Sequence, residues 1–333
     1  MAARLRRLIL LFALAAAVPL VGLVPIAAGQ APAAQAAPAR HVDRSVLMRD
    51  VATLGAAAFE GRGTGTPGGL GARQWLVEQF RSVGLQPAHT SDYLQPFTVT
   101  ARDLRAIPPG GRPFRSTHEA ANVVGRLSGR NPGGRIIAVT AHYDHLGVRE
   151  GVLYPGADDN ASGVAVLLAA ARHFRHNPPQ HGFVFAALDA EELGLHGATT
   201  LVRSAVLPSE RVALNVNLDM VSRNDRNEIY AAGPYHSPWL TPILLDVQTR
   251  AAVRILFGHD RPDSRSRGLE DWTRSSDHAA FHEAGIPFVY FGVEDHADYH
   301  KPTDNPDRID PRFFGDVADM IVEALRTFDA RLP

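Results

Sequence analysis

Five short segments between residues 141 and 304 of a 333-residue chain carry side chains of types that bind divalent metals: His142 in AHYDH, Asp158 in GADDNASG, Glu191 and Glu192 in DAEELG, Asp219 in NLDM, and His300 in DYHKPTD. Two imidazoles, a carboxylate free to bridge, two further carboxylates and one spare glutamate suit a pair of borderline-soft ions such as zinc. That donor set leaves positions for water and substrate, so the implied chemistry is metal-assisted hydrolysis.

Each segment also has an ordinary structural explanation, and it is their joint occurrence that carries weight. His142 and Asp144 stand two apart at the end of an apolar run, so on an extended chain both face one side and Asp144 can hold the ring of His142. Gly156-Ala157-Asp158-Asp159-Asn160-Ala161-Ser162-Gly163 precedes an apolar helix. Its small residues allow close backbone approach to a metal pair, and Asp158 is the expected bridge, with Asp159, Asn160 or Ser162 left to cap the helix. Glu191 and Glu192 sit on a turning backbone and point in different directions. One can bind metal while the other takes a proton from water, although a solvated acidic helix start would explain the pair alone. Asp219 ends an apolar strand with no basic residue in it, a costly place for a charge that neither pairs nor coordinates. His300 lies in a polar loop beyond the last apolar strand. The histidines His173, His176, His181, His236, His259 and His282 lack such settings and read as structural or exposed.

The elements that must position these residues follow from hydrophobic patterning. A helix, a glycine-rich loop (Glu60 to Gly69) and a second helix through Ala72, Leu76, Phe80 and Val83 open the chain after residue 43. No Lys-Ser/Thr follows the glycines, so they read as a tight connection rather than a phosphate cradle. From Ala121 onward apolar runs alternate with helices: strands at 122–127, 136–141, 183–188, 214–218 and 288–291, and helices at 164–174, 197–203 and 313–328. This predicts an α/β fold, a mixed β-sheet with a parallel centre and helices on both faces. Ligands in such sheets gather outside the carboxyl ends of the strands, where His142, Glu191, Glu192, Asp219 and His300 fall.

Lys+Arg 34 against Asp+Glu 35, with no long basic run, gives no electrostatic footprint for nucleic acid. The basic loop Arg261 to Arg267 reads as a solvated surface. Arg4, Arg6 and Arg7, an apolar run from Leu8 to Ala28 and Ala34-Gln35-Ala36 together predict a signal peptide over 1–36 and a secreted or periplasmic protein. An uncleaved anchor is the alternative, weakened by Pro19, Gly22 and Pro25. No cysteine is present, which removes disulfides and thiolate metal sites. Residues 37–333 are expected to form one catalytic domain, a monomer with no lasting membrane partner.

With all five segments in order, the chain resembles the secreted two-zinc aminopeptidases, a family that includes leucyl aminopeptidases, glutamate carboxypeptidases, glutaminyl cyclases and the transferrin receptor. Glu60-Gly61-Arg62, Gly65-Thr66-Pro67-Gly68 and Ser276-Asp277-His278-Ala279-Ala280-Phe281 strengthen the match. The resemblance implies two zinc ions bridged by Asp158, with His142 and Asp219 completing one site and Glu192 and His300 the other. It implies Glu191 as general acid/base, Asp144 behind the metal histidine, and Asp277 and Tyr299 in support. Relatives often carry an inserted protease-associated domain before the first metal histidine, and the stretch from Thr98 to Glu119 is too short for one. The pocket wall is then expected between Arg223 and Ser275, where Tyr230, Tyr235, Trp239, Phe257 and Trp272 offer apolar surface, most of it core. Peptide substrates follow from this reading. Glutaminyl cyclisation with a single zinc and non-catalytic binding are the alternatives it leaves.

Overall fold

The computed structural model describes residues 38, 40–88, 92–100, 117–131 and 133–332. The expected signal peptide and most of the 98–119 stretch lie outside the described residues. Among the described residues, no helix is long and apolar enough to cross a membrane.

The strands are β1 (Gln86–Pro87), β2 (Leu94–Val99), β3 (His118–Leu127), β4 (Ile136–His142), β5 (Gly147–Arg149), β6 (Val152–Tyr154), β7 (Gly182–Leu188), β8 (Val212–Leu218), β9 (Glu228–Ala232), β10 (Arg254–Leu256) and β11 (Phe288–Gly292). The helices are α1 (Arg44–Leu54), α2 (Pro67–Val83), α3 (Gly163–His176), α4 (His196–Val202), α5 (Leu240–Gln248), α6 (His278–Glu283) and α7 (Pro311–Arg331). Nine strands form one sheet in the order β1-β3-β7-β4-β8-β11-β9-β10, with β2 also on β3, while β5 and β6 make a separate hairpin. The centre, β7-β4-β8-β11, is parallel. β3 joins it antiparallel on one side and β9 on the other. This is the mixed sheet that the sequence predicts.

Alternation along each strand divides the core between two faces. Ile137, Val139 and Ala141 of β4 and Phe183, Phe185 and Ala187 of β7 pack with α1, α2, α3, α5 and α7. Ile136 and Ala138, with Val184, Ala186 and Leu188, pack with α4 and α6. The second face also buries a polar ladder. Thr140 donates to Asn217 at 2.6 Å, Asn215 donates to Thr140 at 3.0 Å, and Asn217 reaches Ser276 at 2.9 Å. All of these bonds are buried, and only Asn215 Oδ1 in the ladder has no partner; hydrogen bonds of this kind fix register where apolar packing alone is permissive. Here they place the segment ahead of α6, with Asp277, against the ends of β4 and β8.

The N-terminal segment is tied to α7. The main-chain N–H groups of His41 and Val42 donate to Asp319 at 2.6 and 3.0 Å, Arg44 pairs with Asp316 and Asp319, and His41 meets Glu323 at 2.9 Å. In the segment expected to wall the pocket, Tyr230 and Trp272 are buried with Ala232, Phe288 and Tyr290 in a small core of their own. Trp239 and Phe257 pack against the main core, and Tyr235 stays exposed.

Candidate metal centre

The carboxyl ends of the parallel strands converge on one acidic pocket. β4 delivers His142, β7 leads into Asp189 to Glu192, β8 leads into Asp219, and the loop after β11 carries His300. Between them lies the turn from Gly156 to Ser162 at the head of α3. Gly156 has φ +58, and a side chain there would strike the Asp159 carbonyl and the ring of His145, so only glycine fits.

Two groups of donors are formed, and they share one carboxylate. His142, Asp159 and Asp219 have ligand atoms within 4.8 Å of one another, and so do His145, Asp159 and Glu192. His142 Nε2 is 3.3 Å from Asp219 and 3.5 Å from Asp159. His300 Nε2 reaches the second group, 3.0 Å from Asp159 and 3.5 Å from Glu192. His145 Nδ1 lies 2.7 Å from Glu192 Oε1 and 3.7 Å from Asp159.

The carboxylate that joins the two groups is therefore Asp159, which corrects the expectation at Asp158. Both aspartates are buried, but their side chains diverge. Asp158 accepts the N–H and hydroxyl of Ser222 at 2.8 and 2.6 Å, and its other oxygen meets His296 at 3.0 Å. With those partners its carboxylate is committed away from His142, His145 and His300. Of Asp159, Asn160 and Ser162, the three residues expected to cap the helix, it is Asn160 whose side chain accepts Gly163 N at 3.0 Å, and it also donates to Leu218 O at 2.9 Å.

His142 is fixed from behind. Its Nδ1 meets the main-chain carbonyl of Asp144 at 3.1 Å, and the Asp144 carboxylate stands farther off at 3.7 Å. That carboxylate instead accepts the amides of Glu191 and Glu192 at 3.1 and 3.3 Å and the Thr64 hydroxyl at 3.2 Å. Asp144 thus orients the two glutamates as well as the imidazole. Tyr299 stacks on His300 with ring centroids 4.0 Å apart. Asp277 is buried near His142 and Asp219, and neither of its oxygens has a hydrogen-bond partner.

The electrostatics are those of a centre built around cations. Burial opposes charge on His142, but Asp219, Glu191 and Asp159 raise its proton affinity well above the ordinary imidazole. Burial also opposes charge on His300, yet Asp159 and Glu192 raise it to about 10. Glu191 rises well above its usual range through burial and the nearby Asp277, Glu192 and Asp219, with His142 opposing. Glu192 falls well below it, because His145 and His300 outweigh its burial. Burial and Asp219 push Asp277 up to about 7 against the pull of His142. His145 Nδ1 and Glu192 Oε1, though 2.7 Å apart, are not aligned for a hydrogen bond, and with His145 Nε2 they are buried with no other partner, a costly state that a cation between them would relieve. Nitrogen and oxygen donors, no thiolate and a shared carboxylate fit two zinc ions.

His145 was not singled out in the sequence, and neither was Asp159 as a bridge. The signal for His145 was its place three residues after His142 in AHYDH. The glycine-rich loop is a tight connection, as expected, with Gly61 and Gly65 at φ +65 and +72 and Thr66 capping α2. It also buries Arg62 and Thr64 beside the site.

A mixed sheet with metal-binding side chains at the carboxyl ends of its central strands defines the zinc aminopeptidase fold. The model of Peptidase family M28 matches residues 122–325, and the chain belongs to that family. Aminopeptidase YwaD of Bacillus subtilis (strain 168) is 33% identical over 202 residues, 57% of this chain and 40% of that protein. Among solved structures, BSAP, a zinc aminopeptidase from Bacillus subtilis, superposes with a TM-score of 0.65 at 20% identity, covering 87% of this chain and 95% of that one. Porphyromonas gingivalis glutaminyl cyclase gives 0.66 at 18% identity, covering 86% and 99%. The chain spans about half the length of the curated relatives it matches.

Proposed function

We propose that this chain is an exported two-zinc aminopeptidase that removes residues from the free amino end of peptides. The observation that carries the reading is the pair of donor groups sharing Asp159, with Glu191 beside them. His142, Asp159 and Asp219 would hold one ion, and Asp159, Glu192 and His300 the other, with His145 facing the second position. Bound zinc would polarise the scissile carbonyl and acidify water. The proton released as water adds to the carbonyl passes to a Glu191 carboxylate oxygen and then to the leaving amine, so the glutamate ends each cycle as it began. Asp144 keeps Glu191 in place through its amide. Asp277, aimed at the same corner without a hydrogen-bond partner, supports His142 and Asp219. Tyr299 backs His300.

Two complete donor groups favour hydrolysis over glutaminyl cyclisation, for which the resemblance implies a single zinc. They also disfavour a non-catalytic role, since none of the expected chemistry is missing. In this reading residues 1–36 are a cleaved leader, 37–333 one catalytic domain without an inserted lid, and the enzyme acts as a secreted or periplasmic monomer.

The test is cleavage of leucine p-nitroanilide against its N-acetylated form. A free amine held by charge-assisted hydrogen bonds makes acetylation cost on the order of 10²-fold or more in kcat/KM. Equal cleavage of the two compounds, or release of residues only from the carboxyl end of peptides, would remove the protein from the aminopeptidases.

A further inference from the structure

The turn that carries Asp159 is gripped from two sides by oppositely charged side chains. On one side Arg62 is fully buried, and its guanidinium is spent on main-chain carbonyls. Nε donates to Tyr143 at 2.8 Å, one terminal nitrogen to Leu54 and Pro155 at 2.8 and 2.7 Å, and the other to Gly156 at 2.7 Å. On the other side the Asp304 carboxylate accepts the amides of Asp158 and Asp159, each at 3.1 Å, and its main-chain carbonyl accepts Ala157 N at 3.1 Å.

We propose that Arg62 and Asp304 are paired positioning residues, which hold the 155–159 turn by its carbonyls and its amides and so set where the shared Asp159 carboxylate stands between the two metal positions. This rests on the two-zinc reading above.

The residues they join explain why. Tyr143 lies between His142 and Asp144, so one guanidinium spans the end of β4 and the turn, fixing the separation of His142 from Asp159. Asp304 lies four residues after His300, so its grip registers the His300 loop against the same turn. Three segments, the end of β4, the 155–159 turn and the His300 loop, are thereby indexed to one another. The planar fork of arginine serves four carbonyls that the three donors of a lysine ammonium, gathered at one point, cannot reach together. Arg62 also places a positive charge behind a cluster of acids. Burial lowers it to about 10, with Asp159, Asp304, Asp144 and Glu192 working to keep it charged.

The experiment is zinc affinity, measured by competition with a chromophoric chelator, for the wild type, Arg62→Lys and Asp304→Asn, well below the unfolding temperature of each. Both zinc equivalents are expected to bind roughly 10- to 100-fold more weakly in each variant. At saturating zinc, kcat for leucine p-nitroanilide should fall with KM unchanged. Arg62→Lys keeps the charge and loses the fork, so weakening there assigns the effect to geometry. Asp304→Asn keeps a carbonyl oxygen for the amides and carries the test if Arg62→Lys does not fold. A purely structural role would lower the melting temperature while leaving the zinc affinity of the folded protein unchanged, and that result in Asp304→Asn would overturn the proposal. Wild-type protein that binds no zinc would overturn the two-zinc reading and the clamp with it, whereas wild-type binding with unaltered variants overturns the clamp alone.

Discussion

Substituting Asp158 and Asp159 separately by asparagine should give opposite phenotypes from neighbouring residues. Asp159 faces His142, His145 and His300 at 3.5, 3.7 and 3.0 Å and is the only carboxylate common to both donor groups described above. Asp159→Asn keeps the shape and removes the charge. A carboxylate oxygen about 2 Å from a divalent ion interacts by roughly 17 kcal/mol at an effective dielectric constant of about 20. If desolvation cancels three quarters of that, about 4 kcal/mol remains, or on the order of 10³-fold in affinity. Asp159→Asn should therefore emerge from gel filtration in metal-free buffer with little zinc by elemental analysis. Asp158 makes its contacts with Ser222 and His296 instead, and one of these is lost when an amide nitrogen replaces an oxygen. The cost is about 1–3 kcal/mol of stability. Calorimetry should show a melting temperature lower by roughly 2–10 °C, with zinc retained. Loss of zinc from Asp158→Asn with full retention in Asp159→Asn would refute the assignment of the bridge.

Glu191→Gln should keep both metals while turnover falls roughly 10²- to 10⁴-fold; zinc lost there and kept in Glu192→Gln would mean the two roles are reversed. Chelation should abolish activity, and it should lower the melting temperature because a ligand that binds only the folded state stabilises it. Far from the site, the hydrogen bond from His41, aided by Arg250, holds Glu323 at about 2 against its ordinary 4.5, despite partial burial. The folded state thus binds fewer protons than the unfolded state between these values. The contribution, on the order of 1–2 kcal/mol after allowance for solvent screening, is full above about pH 4.5 and lost as pH falls toward 2. Glu323→Gln should flatten the acid limb of melting temperature against pH over that window, and a steeper limb would contradict the sign.

The central strands were legible because each is a near-continuous apolar run, as burial on both faces requires. The rule that ligands collect at their carboxyl ends then located His142, Glu191, Glu192, Asp219 and His300. Which of two adjacent aspartates joins the two donor groups was not legible. That choice is made by Ser222 and His296, 64 and 138 residues away, which take the Asp158 carboxylate, and by Asp304, which takes the amides of both. His145 was missed for a related reason. The backbone turns after β4, and a spacing of three along an irregular segment does not reveal direction. Asp144 was expected to face His142 with its carboxylate, yet the main-chain carbonyl does so and frees the side chain for the two glutamate amides. The strand β10, three residues long, is too short for its periodicity to stand out. Arg62 looked like part of a turn, since nothing local shows that four distant carbonyls await it.

Titration of metal-free protein with zinc, read by nitroaniline release from leucine p-nitroanilide, bears most directly on the proposed two-metal active site. Activity should be absent before zinc is added, rise with it, and saturate at about two equivalents per chain. Full activity in the presence of excess chelator, or saturation at a single equivalent, would contradict a catalytic centre built on two ions sharing Asp159.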